Sequence, residues 1–390
     1  MKKFFYLPAF LAAAMLSFTA CSDDDDDDAT VDEEETTDVI ADGTTLTGTI
    51  TSDVTLGAGN TYYLSGEYIV EDGATLYIEE GVTVIALYDD IVDYFLIKQG
   101  AKINAVGTAS EPIVMTCEKE EPGAWGGIHI CGKASINVEG GTGSSEIGNA
   151  TYGGDDDDDD SGVLRYVRVE YTGYAFDEEH EANGITFYGV GSGTTVDHCE
   201  AYKGSDDGFE FFGGTVGISY MVVESCSDDS YDWTEGWRGT GSYLVAFQED
   251  AESLGYECDC LIEADNNESD YTATPISHPT LSNLILIGNN SSDNTRGIRL
   301  RRGTRATISN AVVDGKSKCV TLESEETEQA LVDAISSLTS ISCTSALVSE
   351  NGIYTNDDFE AAGNDTDATV SYSSMSDIKS ANSWMSGWTK

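Results

Sequence analysis

The sequence predicts an all-β fold in which short strands coil into a solenoid. The chain has 41 glycines and only 5 prolines in 390 residues, which suits many tight turns. Few stretches show the periodicity of a helix. One pattern of apolar residues recurs along the chain, mostly at steps of 22 to 32 residues. Repeats of this length are typical of solenoids, in which each unit packs on its neighbours.

The repeated pattern places apolar residues at positions i, i+3 and i+5 of each predicted strand. It occurs in LRYVRV, VDHCEA, ISYMVV, LSNLIL and ISNAVV, which begin at Leu164, Val196, Ile218, Leu281 and Ile308. A Gly-Ala turn repeated 27 residues apart, in EDGATLYIEE and KQGAKINAVG, indicates earlier coils. The single step of 63 residues predicts two coils plus an insertion. We place the insertion at about 249–280, where the chain is polar.

The solenoid is therefore expected over residues 44–348. At about 25 residues per turn this range holds about ten coils once insertions are subtracted. Residues 349–390 are predicted to form a C-terminal cap, because an open solenoid end exposes strand edges and apolar side chains.

The N-terminus has the pattern of an export signal. A charged start, an apolar stretch and the sequence FTAC ending at Cys21 resemble a bacterial lipoprotein signal, which implies removal of residues 1–20 and lipidation of Cys21. The alternative is a secretory signal with an accidental cysteine. Residues 21–43 are predicted to be a disordered acidic tether. The run SDDDDDD after Cys21 resembles the signal that sends Bacteroidetes lipoproteins to the exterior face of the outer membrane. Alternatively, the run serves only as a solvated spacer.

The charge balance restricts the partners. The chain has 71 acidic and 19 basic residues, for a formal net charge of −52. Nucleic acid and anionic membrane surfaces would be repelled, so neither is expected as a partner. Cations, or neutral and cationic ligands, fit this charge better.

Eight cysteines follow Cys21, and none of them has the CxxC spacing of a zinc or redox site. An even number permits disulfides in an exported protein. Several, such as Cys131 and Cys199, lie within strand patterns. We therefore expect them to act as small apolar core residues.

Several stretches resemble a known family. Residues 121–137, 152–176 and 183–215, and the closing SWMSGWTK, are similar to right-handed parallel β-helix lipoproteins of Bacteroidetes. The resemblance covers most of residues 44–390. It implies a right-handed parallel β-helix on a surface lipoprotein and no defined activity. Members are often labelled multidrug transporters, a label that does not fit a chain without a later apolar segment of about 18 residues.

Two acidic turns are the candidate metal site. SDDGFEFFGGT starts at Ser205, and SDDSYDWTEGW starts 22 residues later. Equivalent residues of neighbouring coils stack about 4.8 Å apart, so the candidate ligands are Asp206, Asp207, Asp228 and Asp229. Their repulsion requires a cation such as Ca²⁺, raised pKa values or an outward splay into water. Solvated turn carboxylates are the favoured interpretation.

The same four aspartates are the candidate catalytic residues if the protein is an enzyme. Parallel β-helices house pectate lyases and polygalacturonase-like hydrolases, in which acidic residues bind Ca²⁺ or form the acid–base pair. However, the chain has no Gly-His-Gly motif, and its four histidines lie in unrelated contexts. Fold analogy alone supplies no activity. Turnover is therefore the less favoured prediction.

Aromatic and basic residues near these turns are candidate ligand contacts. Trp233 and Trp237 are predicted to be exposed, where their faces could stack on sugar rings. Arg299 and Arg301 belong to the only concentration of basic residues, which could bind an anionic sugar. Pairing of these arginines with acidic side chains of adjacent coils is the simpler interpretation.

Together these features predict a lipid-anchored, surface-exposed outer-membrane protein that acts as a binding or adhesion module, with glycans as the leading ligand class. The main alternative is a β-helical polysaccharide lyase or glycoside hydrolase. A further alternative is an accessory protein of an outer-membrane uptake receptor of the TonB-dependent type.

Overall fold

The computed structural model describes residues 38–89, 91–176 and 180–390. The predicted signal peptide, Cys21 and residues 21–37 of the predicted tether lie outside the described residues. Within the described part of the chain, no helix has the length and apolarity needed to cross a membrane.

The described chain forms a right-handed parallel β-helix. Its strands are β1 (Asp38–Ile40), β2 (Thr45–Ile50), β3 (Val54–Leu56), β4 (Thr61–Val70), β5 (Thr75–Ile78), β6 (Thr83–Ala86), β7 (Tyr94–Ile97), β8 (Lys102–Val106), β9 (Ile113–Cys117), β10 (Ile128–Cys131), β11 (Gly143–Ser144), β12 (Thr151–Tyr152), β13 (Gly162–Glu170), β14 (Ile185–Tyr188), β15 (Thr195–Tyr202), β16 (Phe209–Phe212), β17 (Gly217–Glu224), β18 (Tyr231–Thr234), β19 (Thr240–Phe247), β20 (Ile262–Ala264), β21 (Thr280–Ile287), β22 (Arg296–Leu300), β23 (Thr307–Asp314), β24 (Lys318–Leu322), β25 (Ser337–Cys343) and β26 (Val348–Ser349). Its helices are α1 (Ala251–Leu254), α2 (Glu325–Val332), α3 (Asn356–Ala361), α4 (Met375–Ala381) and a 3₁₀ turn at Ser383–Met385.

Each coil contributes to three parallel faces. The first face runs from β1 through β3, β5 and β8 to the first halves of the long strands β13, β15, β17, β19, β21, β23 and β25. The second contains β6, β9 and the second halves of the same long strands. The third runs from the end of β2 through β4, β7, β10, β14, β16, β18, β20, β22 and β24 to β26. The eleven strands along the first face agree with the predicted count of about ten coils.

A left-handed residue separates the first and second faces in seven successive coils. At this position φ lies between 53° and 60°. In β13, two outward residues, Arg165 and Tyr166, lie between the buried Leu164 and Val167. This kink lengthens one interval between inward residues from two to three, which is why the sequence repeats at i, i+3 and i+5. The residues of this column are Tyr166, His198, Tyr220, Tyr243, Asn283, Asn310 and Ser340.

Aromatic side chains fill the core between the faces. Phe187 stacks on Phe211 with ring centroids 5.1 Å apart, and Phe211 stacks on Trp237 at 4.2 Å. Trp233 is 0% exposed and Trp237 is 1% exposed, so the prediction that both lie on the surface is wrong. Alternation along β18 turns Tyr231 and Trp233 inward. Trp237 lies in the following turn and donates its indole N–H to the Val216 carbonyl at 3.1 Å.

The polar stretch at 249–280 is only partly an insertion. It contains β20, which pairs with β18 and β22 and therefore belongs to the third face. Two excursions flank β20, one of which contains α1. A further excursion between β10 and β13 contains the hairpin of β11 and β12. It packs a small apolar cluster on the outside of the third face, around Leu96, Ile136 and Tyr188.

The C-terminal segment covers two surfaces. Asn364 bonds the backbone of β25, the last long strand, with its Oδ1 accepting from the Ile341 N–H at 2.8 Å. The chain then passes back along the second face, where Met375, Ile378 and Trp388 cover an outward apolar row that includes Val222 and Val245. The β-helix itself begins at β1, a few residues before the predicted boundary at residue 44.

The eight cysteines after Cys21 are all buried and form no disulfide bond in the structure. Cys199, for example, is fully buried in the core of β15. The expectation that they act as apolar core residues is consistent with these positions.

Ser340→Asn tests the left-handed column. Ser340 is exposed with φ 55°, and the Asn310 amide one coil away already donates to Asn283 Oδ1 at 2.6 Å. Asparagine tolerates this backbone conformation better than serine, so the free energy of unfolding should rise by about 0.5–1 kcal/mol. Urea denaturation measures the change. The control Ser337→Asn, in the same strand but outside the column, should be neutral or destabilising. A stabilisation equal to that of Ser340→Asn would contradict the explanation.

Candidate functional site

The two acidic repeats lie on adjacent coils of the third face. Phe209 pairs with Tyr231, and Glu210 pairs with Asp232, which is the register that the 22-residue step predicts. Asp206 therefore lies beside Asp228, and Asp207 beside Asp229. The repetition is a consequence of the coil architecture, and it brings like charges together.

Asp207 and Asp229 belong to a ladder of side chains that bind the backbone of the next coil. Asn183 Oδ1 accepts from the Asp207 N–H at 3.2 Å, and Asp207 Oδ1 accepts from the Asp229 N–H at 2.9 Å. Asp229 Oδ1 accepts from the Cys260 N–H at 2.6 Å. One oxygen of each aspartate thus holds successive coils in register.

The carboxylates of both acidic turns line a cavity of about 240 Å³ on the outside of the third face. Asp206 is 8% exposed, Asp207 5% and Asp229 4%. The favoured prediction of solvated turn carboxylates is therefore wrong for these three, while Asp228 stays more accessible. Their burial arises because other parts of the chain form walls around the turns. The cavity is lined by Glu146, Glu181, Asn183, Asp206, Asp207, Glu210, Asp228, Asp229, Asp232, Glu263 and Arg301.

Burial raises the pKa of the carboxyl groups in this cavity. The pKa of Asp206 rises to about 8, because the group is desolvated and because Asp228 lies close. Desolvation, and then the charge of Asp259, raise the pKa of Asp228 to about 6. Desolvation also raises the pKa of Glu146 to about 7 and those of Asp207 and Asp232 well above their usual range. Burial therefore favours the protonated form of these carboxyl groups to a higher pH than in an exposed carboxyl group.

Two overlapping sets of oxygens have the spacing of a metal site. Ligand atoms of Asp206, Asp207 and Asp228 lie within 4.8 Å of one another, and so do those of Asp207, Glu210 and Asp232. Asp232 Oδ1 is buried and has no hydrogen-bond partner among the described residues. A hard cation such as Ca²⁺ takes six to eight oxygen ligands, and each of these sets supplies three carboxylate oxygens at a compatible spacing.

A second cavity of about 880 Å³ adjoins the first toward the C-terminal ends of the same strands, since Phe212 follows Glu210 in β16 and Thr234 follows Asp232 in β18. The two cavities share Glu210, Asp232 and Arg301. Phe212, a half-buried residue, contributes an aromatic surface. The second cavity is lined by Asn137, Val138, Glu139, Glu210, Phe212, Asp232, Thr234, Glu235, Asp265, Asn267, Glu268, Ser269, Asp270, Ala273, Thr274, Arg301 and Arg302. We call the two cavities together the acidic groove.

The candidate arginines are engaged by acidic neighbours. Arg299 Nη1 lies 2.9 Å from Glu263 Oε1, and its Nε lies 3.0 Å from Glu323 Oε2. Arg301 pairs with Glu263 and, at 2.7 Å, with Asp265. The simpler interpretation of the basic concentration, pairing between coils, therefore agrees with the geometry. Arg301 lines the groove, but both candidate arginines already have anionic partners.

The four aspartates are predicted from the sequence, and the same 22-residue step aligns Glu210 with Asp232. The prediction missed Glu146, Glu181 and Glu263, which come from other parts of the chain. Glu263 follows from the register, because it pairs with Asp232 in the next coil. The other two come from irregular excursions, for which the repeat provides no register.

The fold and the groove define a right-handed parallel β-helix with a carboxylate-lined cleft on one face. The family model of the pectate-lyase-like β-helix domain matches residues 48–389, which is most of the chain. The chain therefore belongs to this family. No curated protein and no solved structure gave a significant match.

The raised pKa values predict that the cation-free protein loses stability as the pH rises. The folded pKa of Asp206 is about 8 and that of Asp228 about 6, both above the unfolded value of 3.8. The resulting stabilisation is complete below the unfolded pKa and is lost as the pH rises through about 6 and then about 8. Urea midpoints in the presence of a chelator should therefore fall over this range.

Asp206→Asn should flatten the upper part of this pH profile, because an amide mimics the protonated acid. Asp357→Asn, an exposed position on α3, is the matched control and should leave the profile unchanged. Equal profiles for Asp206→Asn and the parent protein would contradict the assignment.

Proposed function

We propose that the acidic groove binds a divalent cation, with Ca²⁺ as the leading candidate, and that the protein uses this cation to bind a glycan. The observation that carries the proposal is the buried Asp232 Oδ1, which has no hydrogen-bond partner in the described part of the chain and lies beside Asp207 and Glu210. An acceptor without a donor is costly when it is buried. A cation at this position would satisfy it.

Electrostatics support the same proposal. The cavity gathers nine carboxylates, and Arg301 is the basic residue in its lining. Arg301 is itself bound to Glu263 and Asp265. Two routes relieve the repulsion of such a cluster, namely proton uptake and cation binding. A cation that displaces these protons would leave open coordination positions toward the cleft.

A sugar fits those open positions. Ca²⁺ accepts hydroxyl oxygens as ligands, and the adjoining cavity of about 880 Å³ is large enough for ring-sized groups. Membership in the pectate-lyase-like β-helix family supports carbohydrate as the ligand class. Phe212 takes the stacking role that the sequence assigned to Trp233 and Trp237, because it reaches the groove and they do not.

Calcium titration tests the cation site. The chelated full-length protein should bind Ca²⁺ by calorimetry and unfold at a higher temperature when Ca²⁺ is added, because binding to the folded state stabilises it. Asp228→Asn and Asp232→Asn should each weaken binding by about tenfold or more, since each removes a charged ligand. The control Asp357→Asn should bind like the parent protein. Absence of any heat or thermal shift with Ca²⁺ would sink the proposed site.

A second candidate function is hydrolysis or cleavage of a polysaccharide. The specific observation in its favour is the pair Asp206 and Asp228, whose pKa values of about 8 and about 6 suit an acid and a base near neutral pH. Release of reducing ends or unsaturated products by the parent protein, lost in Asp206→Asn, would favour this candidate over binding alone.

We also propose that the protein is lipid-anchored at Cys21 and faces the exterior from the outer membrane. The support is the signal pattern before Cys21 and the acidic run after it. In that setting the β-helix would present the groove to external glycans or serve an uptake receptor. Co-purification with a TonB-dependent receptor, without glycan binding, would favour the accessory role.

Metabolic labelling with palmitate tests the anchor. The parent protein should incorporate label and partition with membranes. Cys21→Ser should lose both properties, while Cys131→Ser, a buried core position, should keep the label. Labelling of Cys21→Ser at the parent level would contradict lipidation at this residue.

A further inference from the structure

We infer that the acidic groove takes an uncharged polysaccharide chain lying along the β-helix axis, and that it rejects polyuronates even when Ca²⁺ is bound. This inference rests on the proposed function and goes beyond it by naming the class of glycan.

The shape of the groove indicates a chain rather than a single sugar. The groove crosses five successive coils of the third face, from Asn183, which precedes β14, to Arg301, which follows β22. Neighbouring strands lie about 4.8 Å apart, so the groove extends over roughly 20 Å. The two cavities share three lining residues and form one continuous cleft. A ligand that fills it has several ring-sized units in a row.

The charge of the second cavity excludes a repeating anion. Four carboxylates line it beyond Glu235 and those at the cation position: Glu139, Asp265, Glu268 and Asp270. Its two arginines, Arg301 and Arg302, are already paired with carboxylates. Arg302 Nη1 lies 2.8 Å from Asp265 Oδ2, and its Nη2 lies 3.3 Å from Glu268 Oε1. One divalent cation offsets two negative charges, so the other carboxylates of the groove stay uncompensated by it. A uronate on every sugar would therefore meet like charge along the whole cleft.

The same lining suits neutral hydroxyl groups. Desolvation raises the pKa of Glu235 to about 7, and its carboxyl oxygen accepts from the Tyr152 hydroxyl at 2.8 Å. Near neutral pH this carboxyl group can both donate and accept, as a sugar hydroxyl does. Asn137 and Asn267 add amide groups to the same cavity.

Phe212 provides a platform for an apolar sugar face. One side of its ring stacks on Tyr188 at 4.7 Å. In the next coil its register partner is Thr234, which is much smaller than an aromatic residue. The column of aromatic side chains therefore ends at Phe212, within the cavity. An aromatic face at the end of such a column suits stacking of an uncharged pyranose.

Affinity electrophoresis of the full-length protein with saturating Ca²⁺ tests the inference. The gels contain α-mannan, galactomannan, arabinoxylan or dextran as neutral probes, with sodium polygalacturonate as the anionic probe and chitosan as the cationic one. We expect retardation by at least one neutral polysaccharide and none by polygalacturonate. Phe212→Ala should weaken that retardation roughly three- to tenfold. Tyr243→Ala, a half-exposed aromatic position in the left-handed column, is the matched control and should not.

A gain of function tests the charge argument separately. Glu268→Lys removes one exposed carboxylate of the groove and should produce retardation by polygalacturonate. The control Glu80→Lys makes the same charge change at an exposed turn outside the groove and should not. Urea midpoints near that of the parent protein show that each variant is folded.

The outcomes separate the inference from the proposed function. Retardation of the parent protein only by polygalacturonate, or most strongly by chitosan, overturns the inference and leaves the cation site standing. Calcium binding without retention of any neutral probe overturns it as well. Absence of calcium binding overturns the proposed function itself.

Discussion

The structure depends on one constraint, which is that every coil must bind its backbone to the coils on both sides. This requirement fixes the register between coils and places each side chain over its counterpart about 4.8 Å away. Apolar residues benefit, as in the stack of Phe187 on Phe211. Charged residues do not, and the paired Ser-Asp-Asp turns put four carboxylates where the same register brings them together. The four aspartates of the candidate site are therefore brought together by the repeat itself, and Glu146 and Glu181 are added by irregular excursions.

The protein relieves this crowding in two ways that differ in their functional meaning. One carboxylate oxygen of Asp207 and one of Asp229 accept a hydrogen bond from a backbone N–H of the next coil. These two carboxylates therefore help to hold the coils together. Among the described residues, the carboxylates of Asp206, Asp228 and Asp232 have no comparable backbone partner in the neighbouring coil, and all three line the cavity. Their neutralisation is left to protons or to a ligand. In each Asp-Asp pair, the second aspartate thus bonds the backbone of the next coil, and the first lines the groove.

The sequence was sufficient for the fold and for part of the site. The interval of three residues between Leu164 and Val167 reports a left-handed kink, so the repeat could be found without knowing its cause. The 22-residue step likewise predicted the pairing of Glu210 with Asp232. Burial was harder to foresee: alternation within β18 turns Trp233 inward, whereas the position of Trp233 beside the acidic turns led to its interpretation as a surface ligand contact. Glu146 and Glu181 could not be found, since they lie in excursions without a repeat, and their positions depend on tertiary packing.

The C-terminal segment changes how such an array can come apart. In most solenoids each unit touches only its neighbours, so the ends can fray independently. Here the backbone N–H of Lys390 donates to Glu200 Oε2 at 2.8 Å, and Arg168 donates to the Trp388 carbonyl at 2.8 Å. These contacts join the last residues of the chain to coils in its middle. Fraying of the final coils would therefore also require detaching this strap, which makes the second half of the β-helix, including the groove, one cooperative unit.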